Sequence, residues 1–422
     1  MLRHPVRKAS QLTLAAGSCL MLALGFVAFP RPVAAAPDGT VTLDDFTTTS
    51  KDGGVITIKH AEFAGTNLTK DEIVKLLTPE TSQEDESALL QKAKFAAVAI
   101  PLIDVAPKKG GAIHIHDVTA NDIDAGKVGK FAIAGIDGSG TDEDGPISIK
   151  AGAFLLENAD LSDALDTAKE AKQISPMTRL GHLAWEGVDL VAPDKQNGPG
   201  KTIHMALGSL DVRNNYDGAV FKDGALKLKG LVIEPSKDTE FSSNLATLGF
   251  SRLELSANIN AHYDGASKKL SIDDLTIDGA NAGAFSAKAN FGDIDPALFG
   301  PDASMRMGAA AGGSVSALEL KFVNAGLFEK AVAFFANQEK ITPEAVKQQW
   351  AAAAGQMLPA VLGGDPASLK VAAEAQKFIA APTNLTVTLH PKSGSLKFMD
   401  AIANGDPMAL ISTIDIVASA NK

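Results

Sequence analysis

His114 and His116 stand on either side of Ile115, with Asp117 beside them. In an extended strand two such residues project from one face, the arrangement in which two imidazoles share a metal ion. A catalytic zinc needs a third protein ligand, and no histidine or carboxylate stands at a fixed spacing to supply it. Ile113 and Ile115 occupy the other face, so the pair reads first as solvent-side strand histidines. Asp137, Asp142, Glu143 and Asp144 crowd one loop with Gly138, Gly140 and Gly145. An EF-hand needs glycine sixth and glutamate twelfth, where this chain has Asp142 and Ser148, so the loop reads as a solvated hairpin tip. Ser139 lacks the Gly-x-Ser-x-Gly elbow of a hydrolase nucleophile. Gly198-Pro-Gly-Lys-Thr202 ends like a phosphate-binding loop, yet the first required glycine falls at Lys195, and Ile203-His-Met205 continues as a strand where a helix N-terminus is needed. Asp273, Asp274 and Asp278 offer carboxylates on one strand, which bulge and turn roles explain as well as a glycosidase pair does. No catalytic residue and no cofactor is assigned.

The elements that carry these residues are strands. From Leu253, the residues Leu253, Leu255, Ala257, Ile259, Ala261 and Tyr263 alternate with Arg252, Glu254, Ser256, Asn258, Asn260 and His262. That is the period of a half-buried strand. Lys269–Gly279 and Ala284–Phe291 follow, and Asp264-Gly265 and Asp278-Gly279 are expected to supply positive φ in a three-stranded antiparallel meander. In the middle strand Leu270/Ile272 and Leu275/Ile277 are separated by one residue too many for a regular strand, and a bulge at Asp273-Asp274 returns both pairs to one face. The same spacing recurs at Ile56/Ile58/Ala61/Phe63, Ile113/Ile115/Val118/Ala120, Leu183/Trp185/Val188/Leu190 and Leu226/Leu228/Leu231/Ile233. The breaks fall at Lys59-His60, His116-Asp117, Glu186-Gly187 and Lys229-Gly230.

Of the 422 residues, 45% are hydrophobic and 21% charged, the balance of a folded chain, while aromatics at 5% point to an aliphatic core. Arg3, Arg7 and Lys8 precede an apolar run from Leu12 to Phe29, and Val33-Ala34-Ala35 follows. This is the pattern of a signal peptide cut after Ala35, with an uncleaved membrane anchor as the alternative. Loss of residues 1–35 takes four basic side chains and no acidic one, making the net charge more negative than −11. Such a chain is a poor partner for nucleic acid or an anionic membrane surface. The only cysteine, Cys19, leaves with the same segment, so no disulfide, thiolate nucleophile or cysteine metal site is expected. A nucleotide is not expected either, and a chain whose signal is cleaved is not an integral membrane protein.

The expected fold is α+β: a large, curved antiparallel sheet of meander or groove-like form with helical inserts and a docked helical C-terminal segment. Residues 36–322 read as β-rich, with inserts at about 69–99, where Thr69 and Ser82 cap helices and Pro101 closes the insert, and at 162–173. Arg179 to Phe291 reads as nearly continuous strands and turns, and Gly308–Gly313 as a loop. Residues 323–422 read as mostly helical, with Thr342-Pro343, Asp365-Pro366 and Asp406-Pro407 starting helices. Leu385–Leu389 is a late strand packed on the sheet, with Ile414–Ile416 as its partner.

The strand Leu270-Ser-Ile-Asp-Asp-Leu-Thr-Ile-Asp-Gly279, the alternating strand before it, the signal peptide and the helical C-terminal segment together resemble uncharacterised secreted bacterial envelope proteins. More distantly they resemble the AsmA-like β-groove proteins, over roughly Leu226 to Phe291. The resemblance implies a curled sheet whose apolar concave face shelters lipid chains, with Leu253, Leu255, Ile259, Leu270, Ile272, Leu275 and Ile277 lining the groove. The expected function is a non-enzymatic periplasmic or envelope protein that binds an apolar, lipid-like ligand or an envelope partner. The alternatives are a hydrolase of an envelope polymer using carboxylates on the wet face, which needs a polar cleft, and a structural envelope protein with a covered sheet.

Overall fold

The computed structural model describes residues 39–50, 53–79, 81–141, 145–162, 179–194, 200–237, 239–300, 302–403 and 407–422. The expected signal peptide, nearly all of the expected 162–173 helix, Asp142 to Asp144, Asp406 and residues 195–199 lie outside them. The fold is α+β and dominated by antiparallel sheet. Its contacts gather into two units, 1–210 and 211–422.

In the first unit β1 (Val41–Thr49), β2 (Val55–Ala64), β3 (Lys94–Ala106) and β4 (Gly111–Asp124) pair in sequence. Beyond β4 the ladder forks. β5 (Lys127–Ile133) and β6 (Gly135–Thr141) both pair with β4, then continue through β8 (Phe154–Asp160) and β7 (Pro146–Ala151) to the two ends of β9 (Arg179–Pro193). The inward residues, among them Phe63, Phe95, Phe131, Ile58, Ile100 and Val118, are fully buried, and two short helices, Lys70–Leu77 and Gln83–Lys92, complete the core with Ile73, Leu76, Leu77 and Leu89. Removing each such side chain from water stabilises the fold by roughly 1.5–3 kcal/mol. Thr69 and Ser82 cap those helices as expected, through their hydroxyls to the backbone N–H of Glu72 and Asp85.

The second helix stops at Lys92, however, and does not reach Ala99. Phe95, Val98 and Ile100 belong to β3, buried between β2 and β4. The apolar run is equally compatible with a helix, and pairing on both edges decides it for strand. Pro101 accordingly sits inside β3, at a rung the β3–β4 ladder skips and opposite Asp117, whose φ of 45° interrupts the regular strand. Proline, which has no N–H to give, is tolerated at such an interruption.

β10 (Thr202–Asp217) carries the division between the units. In the second unit β11 (Val220–Glu234), β12 (Leu253–Asp264), β13 (Lys269–Gly279), β14 (Gly283–Gly292), β15 (Ser314–Asn324), β16 (Asn384–Pro391) and β18 (Ile414–Ala420) form one antiparallel ladder, with the two-residue β17 (Leu396–Lys397) also against β15. The meander is as expected, and so is the pairing of Leu389 with Ile416. Positive φ in its turns belongs to Lys268 and Asn281, not to Gly265 or Gly279, because the strands run on through those glycine positions or close to them. Two α-helices among the described residues fall where strands, turns or loop were expected. Thr239 caps Glu240–Thr247 between β11 and β12, and Asp302 caps Ala303–Gly312, where glycine-rich sequence reads as loop. Leu327–Glu339, Pro343–Val361 and Pro366–Ala380 form the longer C-terminal helices, the last two capped by Thr342 and Asp365, and Phe398–Ala403 and Pro407–Ser412 are short ones. Among the described residues no helix is long and apolar enough to cross a membrane.

The recurring break in the strand pattern is structural. At Asp273 the β12–β13 ladder steps from Asn260–Asp274 to Ala261–Ile272, leaving Asp273 without an opposing residue. At Gly230 the β11–β12 ladder steps from Leu228–Ala257 to Leu231–Leu255, and the Gly230 N–H donates instead to Ser256 Oγ at 3.1 Å. Gly230 and Gly187 both have φ of 60°, the left-handed conformation glycine adopts without steric cost. The bulges at Asp273 and Gly230 return the flanking apolar pairs to one face.

Candidate functional site

Register puts all seven expected groove residues on one face of the second unit. Leu255 and Ile259 share it with Leu231 and Leu226 on one side, and Leu270, Ile272, Leu275 and Ile277 oppose Tyr263, Ala261, Ile259 and Ala257 on the other. Leu253 lies opposite Ile233. The face extends well beyond them. One row runs Leu226–Ile259–Leu275–Ala287–Leu320–Val387–Ala418 and the next Gly224–Ala261–Ile272–Ala289–Leu318–Leu389–Ile416, across seven strands with no polar side chain. The sequence carried the signal for β14 in the alternation Phe285, Ala287, Ala289, Phe291. Alanine is too small to mark a lining until its neighbours are known.

This face is less fully covered than the central core of the first unit. The C-terminal helices cover one corner: Phe328, Val332, Ala336, Val346 and Phe378 bury Ala420 and pack on Phe322 and Leu385, with the Phe322 and Phe378 rings 6.1 Å apart. At the other end Tyr263 is buried, donates its hydroxyl to Ile294 O at 2.8 Å, and packs its ring at a tilt against Phe299, centroids 4.9 Å apart. Between these covers Leu253, Leu255, Ile259, Leu270, Ile272 and Leu275 are only half-buried, while Ile277 is 44% and Phe285 41% exposed.

The polar residues singled out for chemistry fall on strands whose carboxylates are already engaged. His114 and His116 project from one face, as their spacing requires, with rings 6.2 Å apart. His114 Nδ1 lies 2.6 Å from Asp104 Oδ1 and His116 Nε2 2.6 Å from Asp137 Oδ1. The same cross-strand pairing joins His60 to Asp44 at 2.8 Å, His182 to Glu157 and His204 to Asp189 at 3.2 Å, and His262 to Asp273 at 2.7 Å. Asp274 accepts from Asn258 Nδ2 and from Thr276 Oγ1. Among the described residues no three histidine or carboxylate groups are disposed to hold a metal ion. Ser139 lies in β6 opposite Ala112 and Ser148. Lys201 closes the β9–β10 connection by accepting at its carbonyl from Asp194 N at 2.7 Å, and Thr202 enters a strand, so no helix N-terminus stands there to receive a phosphate.

Fold and face together define a class: an antiparallel-sheet protein with an accessible aliphatic face partly roofed by helices. A family model described as "Uncharacterized protein" matches residues 276–421, from within β13 through β18 and so including the C-terminal helices. No curated protein matches the chain.

Proposed function

We propose that this chain is a non-enzymatic binding protein of the bacterial periplasm or envelope that holds an apolar, lipid-like ligand on the aliphatic face of its second unit. The observation that carries the reading is the contrast between the two units. One seals the large side chains Phe63, Phe95, Phe131, Ile58 and Val118 in a core, whereas the other leaves Leu255, Ile259, Leu270, Ile272 and Leu275 half-buried on an aliphatic face that runs across seven strands, with Ile277 and Phe285 open to solvent. Contiguous accessible apolar surface of this kind marks a ligand or partner site. The resemblance of Leu226–Phe291 to AsmA-like β-groove proteins supports the same reading, and the leader-like residues 1–35 support export. An envelope protein partner would use the same surface.

Native mass spectrometry of the protein purified from its own envelope tests this. A co-purifying lipid, displaced in an Ile277→Glu variant, is expected. Protein recovered without lipid, and taking up none from detergent-dispersed envelope lipids, overturns it.

A further inference from the structure

The aliphatic face contains a groove with a direction, and this deepens the reading above, on which it rests. On β14 the face is built from Phe285, Ala287, Ala289 and Phe291. The two alanines lie between larger side chains on both neighbouring strands: Leu275 and Leu320 flank Ala287, and Ile272 and Leu318 flank Ala289. Small residues between rails of large ones make β14 the low line of the face. Its far end is closed, where the Phe291 ring meets Phe398 at 6.1 Å and Ala289 is buried, 5% exposed. Its near end is open at Ile277 and Phe285. At about 3.4 Å per residue, Phe285 to Phe291 spans about 20 Å, which accommodates one acyl chain, since a bilayer's hydrocarbon core of about 30 Å is two chains thick.

Beyond the open end the β13–β14 turn, at Ala280 and Asn281, borders a hollow of about 270 Å³ that Arg252, Glu254 and Lys330 also line. Arg252 pairs with Glu254 at 2.8 Å, while Lys330 lies over the Phe250 ring and donates to Gly249 O at 2.8 Å. An ammonium has three donors, and Gly249 takes one. The hollow thus holds one more cation than anion, in a chain of net charge −11. We propose that β14 seats a single saturated acyl chain, with an anionic head, carboxylate or phosphate, at Arg252 and Lys330.

The test is calorimetric titration of the delipidated full chain with hexadecanoate, hexadecyl phosphate and hexadecanol. One or both anionic probes are expected to bind at least about tenfold more tightly than the alcohol, and the stronger of the two identifies the head group. Ala287→Trp fills the groove and is expected to weaken every probe at least about tenfold, whereas Lys288→Trp, on the opposite face of the same strand, leaves binding unchanged. Ile277→Glu at the exposed mouth repeats the test should Ala287→Trp fail to fold. Arg252→Met with Lys330→Met is expected to bring the anionic probes to the level of the alcohol. Equal binding of alcohol and anions, or no effect of the double methionine variant, overturns the anionic head. Wild-type binding by Ala287→Trp or Ile277→Glu overturns the groove while leaving an apolar site elsewhere on the face. Failure of all three probes, with no lipid on the native protein, overturns both this inference and the function it rests on.

Discussion

His262 Nδ1 lies 2.7 Å from Asp273 Oδ2, so the residue that β13 inserts into its ladder is tied by its side chain to the strand it bulges from. The bulge is a matter of backbone count more than of this contact, because both side chains are more than half exposed and such pairs contribute at most about 1 kcal/mol. Asp273→Ala is therefore expected to change stability by no more than about 1 kcal/mol in urea unfolding. Deletion of Asp273 removes the extra residue, so Leu270, Ile272, Leu275 and Ile277 then alternate regularly on one face without a bulge. It is expected to leave cooperative unfolding of the second unit intact, read by near-ultraviolet circular dichroism, whereas insertion of a second residue beside Asp273 is expected to disrupt it.

Gly187, which keeps one-for-one register with β7 and β8, tests the left-handed backbone where space is not the issue. A Cβ there would meet nothing nearer than Gly152 N at 3.8 Å, yet φ is 60°. Gly187→Asn is expected to cost under about 1 kcal/mol and Gly187→Val at least about 1–2 kcal/mol. Paired chemical denaturation curves check the difference, and equal costs would remove the left-handed backbone as its cause.

The two apolar faces should answer mutation differently. Phe131 has no exposed surface, so Phe131→Ala is expected to cost about 3–5 kcal/mol. Ile277→Ala, at the open mouth, is expected to cost under about 1 kcal/mol while weakening ligand binding. Thermal melts beside binding titrations separate the two.

Two titrations have opposite signs. The hydrogen bond to Asp44, followed by the charges of Asp44 and Glu62, raises the His60 pKa above 6.5 against the effect of burial. Its stabilising contribution is therefore complete below pH 6.5 and lost as pH rises through the raised value. Asp44→Asn is expected to lower the His60 pKa, followed by the imidazole proton resonances. Glu72, held mainly by the Lys92 ammonium and then by the Thr69 N–H, titrates at about 2 instead of 4.5. Its contribution is present above pH 4.5 and disappears as pH falls through about 2, so Lys92→Met is expected to flatten the acid limb of helix unfolding.

The alternation along Leu253–Tyr263, the odd residue at Asp273-Asp274 and the caps at Thr69, Ser82, Thr342 and Asp365 are all consequences of neighbours within a few residues. The sequence by itself therefore determined the meander strands, the bulge at Asp273, these helix starts and the common face of Leu255, Ile259, Leu270, Ile272, Leu275 and Ile277. Phe95–Ile100 and Ala303–Gly312 escaped it because apolar and glycine-rich runs satisfy helix, strand or loop until a partner claims their backbone groups. Only tertiary structure decided that Phe63 is sealed while Ile277 is open, because covering a sheet depends on where helices distant in the chain come to rest. It likewise decided that Asp104, Asp137 and Asp273 face histidines and that Ala287 lies between Leu275 and Leu320. Cross-strand neighbours are set by register between segments, and no local spacing encodes it.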